Sequence, residues 1–181
     1  SSNKKFKKNL SFDHGLQYFS LKNNIFEKDL KKLINKKILK IWDGNHLDFT
    51  FNKNTNSMKV IGKKGNNDLI KYNLKGIKQN FNSTVTKIKK EQNFWEISLN
   101  GNTQIQSKNL ILTCPYPQVK ILAKRYLSKK MVNLNVTMQP NITVMLVFKN
   151  QENKLISSMK FNDEMLAWAA NENSKKRFKS K

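Results

Sequence analysis

The chain has 181 residues, of which 38% are hydrophobic, and a formal net charge of +23. This length allows a globular domain with a core, and recurring apolar runs exclude disorder throughout. No apolar run approaches the ~20 residues that cross a bilayer, and the single cysteine, Cys114, cannot form an internal disulfide. We therefore expect a soluble, cytoplasmic protein without a membrane span.

The positive charge comes from lysine. Only Arg125 and Arg177 among the 35 basic residues are arginines, and the lysines are spread from Lys4 to Lys181. A strongly basic surface attracts polyanions, so a lysine-rich nucleic-acid-binding module is the alternative function. Nucleic-acid sites favour arginine for its planar bidentate fork. We therefore favour a solvated lysine coat and expect no specific nucleic-acid partner.

In the first third of the chain, the pattern predicts a helix and then extended segments. Asparagines at 23 and 24 can cap a helix whose apolar positions over 26–34 follow helical spacing. Two short extended runs, 38–42 and 46–51, flank an Asp-Gly-Asn turn, which predicts a hairpin. The polar segment 52–57 is interpreted as a crossing between two domains.

The middle of the chain predicts a short helix and three strands. The helix runs from residue 66 or 67 and ends at Gly76. Alternating apolar residues over 83–89, 94–99 and 103–106, separated by Gln-Asn and Asn-Gly turns, predict a three-stranded antiparallel meander.

The last part of the chain continues the mixed pattern. The apolar run 110–112 predicts a strand buried on both faces of a parallel sheet. A helix should follow over 117–127, with Pro117 in its first turn, and the run 141–148 predicts another strand. The order of elements predicts an α/β chain with α+β character.

Five segments, in order, resemble the renalase-like flavin oxidoreductases, which are FAD-dependent relatives of the amine oxidases. Residues 12–20, Phe-Asp-His-Gly-Leu-Gln-Tyr-Phe-Ser, are similar to the family's Asp-x-Gly-Ala-Gln-Tyr-Phe-Thr signature. Residues 65–69 resemble its Gly-Met-Asn-x-Leu helix start, 85–97 its meander and 110–118 its strand and proline turn. Residues 166–175 resemble its Leu-Ala-Trp-Ala-Ala-x-Asn-Ser block.

The resemblance implies a site and a reaction. The reaction is oxidation of a reduced small molecule, a dihydronicotinamide isomer or an amine, by FAD, with oxygen as the acceptor; no catalytic residue is assigned. The implied cofactor-binding residues are Gly15, Gln17, Tyr18, Val85, Cys114 and Pro115. The implied substrate pocket contains Tyr18, Trp168 and Asn171.

Elementary chemistry bears on some of these residues directly. A glycine at position 15 lets the backbone approach a flat ring, and Gln17 offers the donor and acceptor that an isoalloxazine edge requires. In an extended segment, Tyr18 and Phe19 point to opposite faces, so that one lines a cavity while the other enters the core. The alternative is a buried glycine turn with a hydrogen-bonded glutamine.

The other site residues also have plain structural interpretations. Trp168 either walls a pocket or fills the core, and Val85 fits an ordinary strand. Cys114 is better explained as a packed thiol than as a nucleophile. Two isolated histidines, His14 and His46, do not suggest a metal site.

The resemblance also implies a division of the chain. Residues 1–15 would close a first cofactor-domain segment, 16–57 and 116–181 would belong to a substrate domain, and 58–115 would be a cofactor-domain segment containing the meander. The family's Gly-x-Gly-x-x-Gly turn and its closing flavin-contact segment have no counterpart here. We therefore expect an incomplete flavoprotein that holds FAD poorly by itself.

Overall fold

The computed structural model describes residues 3–7, 10–20, 24–50, 53–54, 58–148 and 156–177. The strands are β1 (Asn3–Lys7), β2 (Leu10–Asp13), β3 (Phe19–Ser20), β4 (Leu39–Ile41), β5 (Asn45–Asp48), β6 (Lys53–Asn54), β7 (Lys59–Gly62), β8 (Val85–Lys90), β9 (Trp95–Leu99), β10 (Gln104–Ser107), β11 (Ile156–Lys160) and β12 (Trp168–Ala170). The helices are α1 (Asn24–Asn35), α2 (Asp68–Asn73), α3 (Tyr116–Ala123) and α4 (Lys129–Val132), with 3₁₀ turns η1 (Lys124–Tyr126) and η2 (Glu172–Lys175).

The mixture of helices with several small sheets confirms the α+β class. The chain forms two compact units, a first unit of residues 1–77 and 143–181 and a second unit of residues 78–142. The division into a cofactor domain and a substrate domain stays a prediction. Among the described residues, no helix combines the length and apolar character that crossing a membrane requires.

The core of the first unit lies between α1 and a small antiparallel sheet, β3-β7-β4. The predicted amphipathic helix is confirmed, and it buries Leu30 and Leu33 against Leu39 and Val60. Phe19 packs on this core from β3, as its alternation with Tyr18 predicts. The burial of one helical stripe fixes α1 on the sheet.

The predicted hairpin over 38–51 is wrong. Strand β4 pairs with β7, whereas β5 pairs in parallel with β11 and antiparallel with β6, so the two runs belong to different sheets. Gly44 has φ +148, and a Cβ there would overlap the Ser157 hydroxyl. The turn therefore carries the chain from one sheet to the next. Of the predicted crossing at 52–57, only β6 lies within the described residues.

In the second unit, the predicted meander is confirmed as the antiparallel sheet β10-β9-β8, with Ile88 buried. Pro115 precedes α3 and Pro117 lies in its first turn, as predicted. The ring of Tyr126 packs edge-on against Trp95, with centroids 4.9 Å apart, and so ties η1 to the meander.

Two predicted strands are not formed. Residues 110–112 and 141–148 have no regular secondary structure, and Ile111 and Ile142 are 85% and 90% exposed. A strand buried within a sheet needs hydrogen-bonding partners on both sides. No strand of the described residues pairs with either run. An apolar run indicates burial but does not specify its partner.

Candidate functional site

A group of polar side chains is buried in the first unit. Asp13 ends β2, Gln17 follows it in the bend before β3, and Asn66 lies in the turn that precedes α2. The remaining members come from the end of the described chain. We call this group the buried polar cluster, and its members are Asp13, Gln17, Asn66, Glu172, Lys175 and Arg177.

Asp13 is the centre of the cluster. Its side chain is fully buried and forms an ion pair with Arg177 through Nη1. The Nζ of Lys175 lies 3.6 Å from Asp13 Oδ2, and the backbone N–H of Asn66 donates to Asp13 Oδ1 at 3.2 Å. Two cations and a backbone donor thus offset the cost of burying this carboxylate.

Asn66 and Arg177 hold the turn between β7 and α2. Asn66 Oδ1 accepts from the Gly62 backbone N–H at 2.9 Å and from Arg177 Nη2 at 2.8 Å, while its Nδ2 donates to the Leu16 carbonyl at 2.7 Å. Arg177 Nε donates to the Gly62 carbonyl at 3.1 Å. A Cβ at Gly62 would overlap the Gly65 carbonyl oxygen, so this close approach requires glycine.

Lys175 connects the cluster to the bend before β3 through Gln17. Its Nζ donates to Gln17 Oε1 at 3.0 Å, pairs with Glu172 Oε1, and lies 5.0 Å from the centre of the Trp42 ring. The Nε2 of Gln17 donates to the Asp13 carbonyl. Burial lowers the pKa of Lys175, and the Glu172 carboxylate opposes that effect. Both ends of the Gln17 amide are therefore engaged within the protein.

Glu172 is the least satisfied member of the cluster. Its Oε2 is buried without a hydrogen bond and lies 3.7 Å from Arg177 Nη1. Burial raises the pKa of Glu172, while Lys175 and Arg177 act in the opposite direction. With two carboxylates and two cations, the cluster is formally neutral when all four groups are ionised.

Aromatic rings extend the cluster on one side. Tyr18 packs at a tilt against Trp42, with ring centroids 6.2 Å apart, and Lys59 Nζ lies 5.2 Å from the centre of the Tyr18 ring. The indole N–H of Trp42 donates to Ser174 Oγ at 3.0 Å. Burial, and secondarily the Asp48 charge, raises the pKa of Tyr18, so its phenol is a proton-bearing donor at neutral pH.

His46 lies beside this aromatic pair. Its Nδ1 is 2.7 Å from Ser158 Oγ and its Nε2 is 3.1 Å from the Trp42 carbonyl. The carbonyl can only accept, so Nε2 carries the proton and the serine hydroxyl donates to Nδ1. Ser158 is only 3% exposed and faces His46 across two paired strands. The contact is therefore a cross-strand hydrogen bond.

The implied cofactor-binding residues divide between the two units. Gly15 is exposed in the bend, with Gln17 and Tyr18 half-buried beside it in the first unit. In the second unit, Val85 begins β8, Cys114 is half-buried, and Pro115 is exposed at the start of α3. That the two groups share a flavin remains a prediction.

The two further residues of the implied substrate pocket lie in the first unit. Trp168 is half-buried in β12 and faces Lys160 across the strand pair. The side chain of Asn171 caps η2, since its Oδ1 accepts from the Asn173 backbone N–H at 3.1 Å. Capping η2 helps to hold the segment that supplies Lys175.

Of the buried polar cluster, sequence reasoning identified only Gln17 as a site residue. The members it missed are Asp13, Asn66, Glu172, Lys175 and Arg177. Arg177 was recognisable as one of only two arginines, a residue type suited to buried ion pairs. Its partner Asp13 is 164 residues away, and no local pattern indicates a pairing over that separation.

The fold and the cluster together define an α+β protein with an internal ion-pair network. No family model matches the chain, and no curated protein shows a significant match to it.

Proposed function

We propose that this chain belongs to a renalase-like FAD-dependent oxidoreductase that oxidises a dihydronicotinamide isomer or an amine, with oxygen as acceptor. One observation supports the proposal: three of the five segments that carry the resemblance meet in the buried polar cluster. Segment 12–20 contributes Asp13 and Gln17, segment 65–69 contributes Asn66, and segment 166–175 contributes Lys175.

The contacts explain why these segments would depend on one another. Asn66 donates to the backbone of the bend at Leu16, and Lys175 fixes the orientation of the Gln17 amide. The bend itself exposes Gly15 and Leu16. A cofactor ring would contact this exposed surface, because the side chains of Asp13 and Lys175 are fully buried and leave no room for a ligand inside the cluster.

The residues at the bend are compatible with a flavin. An isoalloxazine edge needs both hydrogen-bond donors and acceptors, and the backbone N–H and C=O of Gly15 in the exposed bend provide them without a side chain at that position. Gln17 keeps one amide hydrogen and one oxygen lone pair beyond its internal contacts. FAD, when bound, would supply the redox chemistry. The chain would orient it and exclude water from one side.

The proposal is tested by the visible absorption spectrum of the complete natural gene product after incubation with FAD and removal of free cofactor. We expect a bound-flavin spectrum, and oxygen consumption with hydrogen peroxide formation when a dihydronicotinamide isomer or an amine is added. A folded protein that stays colourless at every FAD concentration would overturn the proposal.

A pair of glycine variants tests whether the flavin binds at the bend. Gly15→Val places a branched side chain on the exposed bend and should abolish flavin retention in a folded protein. Gly76→Val is the control, because Gly76 is exposed in the same unit and has φ +81, which makes valine there more strained. The control should retain flavin. Equal retention in both variants would argue against a flavin at the bend.

A further inference from the structure

The second unit contains a basic cleft that the flavin proposal does not use. Its volume is about 640 Å³, and it lies where η1 turns into α4. Small-molecule sites commonly have volumes of about 300 to 1,000 Å³. We call it the basic cleft, and its lining residues are Lys124, Arg125, Leu127, Lys129, Val132 and Asn133. The lining thus has three cations, two apolar side chains and one amide, without a carboxylate.

The arginine distinguishes this cleft from the general lysine coat. The chain has 33 lysines, so lysines at the surface do not by themselves indicate a binding site. It has only two arginines. Arg177 is fully buried in an ion pair with Asp13, so its guanidinium is not available to a ligand. Arg125 is exposed and, among the described residues, forms no ion pair with a carboxylate. Its planar fork matches two oxygens of a phosphate.

The sequence around the cleft contains no acidic residue that could offset these positive charges. No aspartate or glutamate occurs between Glu96 and Glu152. Three cations gathered around one cleft repel one another, and a multivalent anion placed between them would replace that repulsion with attraction. Anions that carry several charges in a small volume would gain the most.

The cleft is held in a defined shape by contacts to the meander. Arg125 lies over the ring of Tyr126, 5.6 Å from its centre, and Tyr126 in turn packs edge-on against Trp95. The Tyr126 hydroxyl accepts from the Lys90 backbone N–H at 2.9 Å. The Ser128 hydroxyl accepts from a backbone N–H of α4 and fixes its start. A preorganised arginine loses less entropy when it binds a ligand.

We propose that the basic cleft binds a compact multi-phosphate group, such as inorganic tripolyphosphate or the phosphates of a nucleotide-sized ligand. Arg125 provides a bidentate contact, and Lys124 and Lys129 act as point charges. Leu127 and Val132 offer apolar surface to any organic part of the ligand. A compact ligand fits better than a long polyanion, because the three cations come from six consecutive residues around one concavity.

The test is a titration of the full chain with tripolyphosphate by calorimetry, at low salt and at physiological salt. The triple variant Lys124→Gln/Arg125→Gln/Lys129→Gln should bind at least about tenfold more weakly. The matched control is Lys78→Gln/Lys87→Gln/Lys108→Gln, which removes the same charge from exposed positions of the same unit outside the cleft. The control should bind within about twofold of the wild type.

A conservative variant adds a second readout. Arg125→Lys keeps the charge but loses the fork, and should weaken tripolyphosphate binding by about threefold or more. Circular dichroism confirms that each variant is folded, which the exposure of all three side chains favours. Equal losses in the cleft and control triple variants would overturn the proposal in favour of a diffuse lysine coat. Much tighter binding of an oligonucleotide, with a steeper salt dependence than tripolyphosphate, would overturn it in favour of a nucleic-acid surface. Binding unaffected by any substitution would also overturn it.

Discussion

The two arginines of this chain occupy opposite environments. The side chain of Arg177 is fully buried in the first unit and forms an ion pair with Asp13. Arg125 is exposed in the second unit, beside two lysines in a cleft whose lining has no carboxylate. A buried cation must be neutralised by the protein itself, so it joins distant segments of the chain. An exposed, uncompensated cation remains available to a ligand.

The difference in burial between the two arginines determines how much each contributes to the unfolding free energy. Replacing a complete buried ion pair by apolar side chains is often neutral, whereas removing one partner leaves an uncompensated charge in the interior. An exposed arginine is hydrated whether or not it has a partner, so its removal changes the unfolding free energy little. The two regions should therefore respond very differently to the same substitution.

The largest expected effect comes from Arg177→Met. The substitution leaves Asp13 buried without its arginine and should lower the unfolding free energy by about 3 to 5 kcal/mol. The measurement is urea denaturation followed by circular dichroism. Arg125→Met is the matched control and should change the unfolding free energy by less than about 0.5 kcal/mol. Equal destabilisation by the two substitutions would remove the contrast between the regions.

Gly62→Ala tests the backbone on which the cluster is built. A Cβ at this position overlaps the Gly65 carbonyl oxygen, so the turn that holds Asn66 must shift. We expect a loss of about 2 to 3 kcal/mol. Gly76→Ala is the comparison, because Gly76 has φ +81 but nothing within 4 Å of its Cβ position, and should cost only about 1 kcal/mol. A smaller loss at Gly62 than at Gly76 would show that the close approach is absent.

The smallest expected effect is a pH dependence that comes from Glu172. Its pKa is raised above the ordinary value of 4.5, chiefly by burial, so the folded protein binds this proton more tightly than the unfolded chain. The stabilisation is complete below the ordinary pKa and is lost as pH rises through the folded pKa. Relative to Glu172→Gln, the wild type should therefore lose stability, on the order of 1 kcal/mol, as pH rises from about 4.5 to neutrality.

Denaturation curves at several pH values check this prediction. Glu164→Gln, at an exposed position, is the control and should run parallel to the wild type across the same range. A wild type that gains stability over Glu172→Gln with rising pH would mean that the cations outweigh burial at Glu172.

Local patterns predicted the elements whose stability is itself local. Helix α1 has an apolar stripe, and the meander strands are joined by short turns, so near neighbours in sequence decide both. The strands predicted at 110–112 and 141–148 were wrong, because an apolar run does not specify the strand with which it would pair. The turn at Gly44 was recognised, but its distant neighbour Ser157 decides which sheets it connects.

The candidate site was predictable only in part. The resemblance drew attention to Gln17 and Tyr18, but not to the partner that engages the Gln17 amide, since Lys175 is 158 residues away. The plain alternative, a glutamine hydrogen-bonded within the protein, describes its internal contacts correctly. Charge compensation in an interior depends on the whole fold, which spacing along a sequence does not reveal.

The proposed function depends most on the meeting of segments 12–20 and 166–175, because both segments carry the resemblance. A double-mutant cycle with Gln17→Leu, Lys175→Met and the combined variant measures it by denaturation. The two side chains form a partly buried, charge-assisted hydrogen bond of 3.0 Å, so we predict a coupling free energy of about 1 to 2 kcal/mol. Effects that add to within about 0.3 kcal/mol would contradict the account, since residues in direct contact do not behave independently.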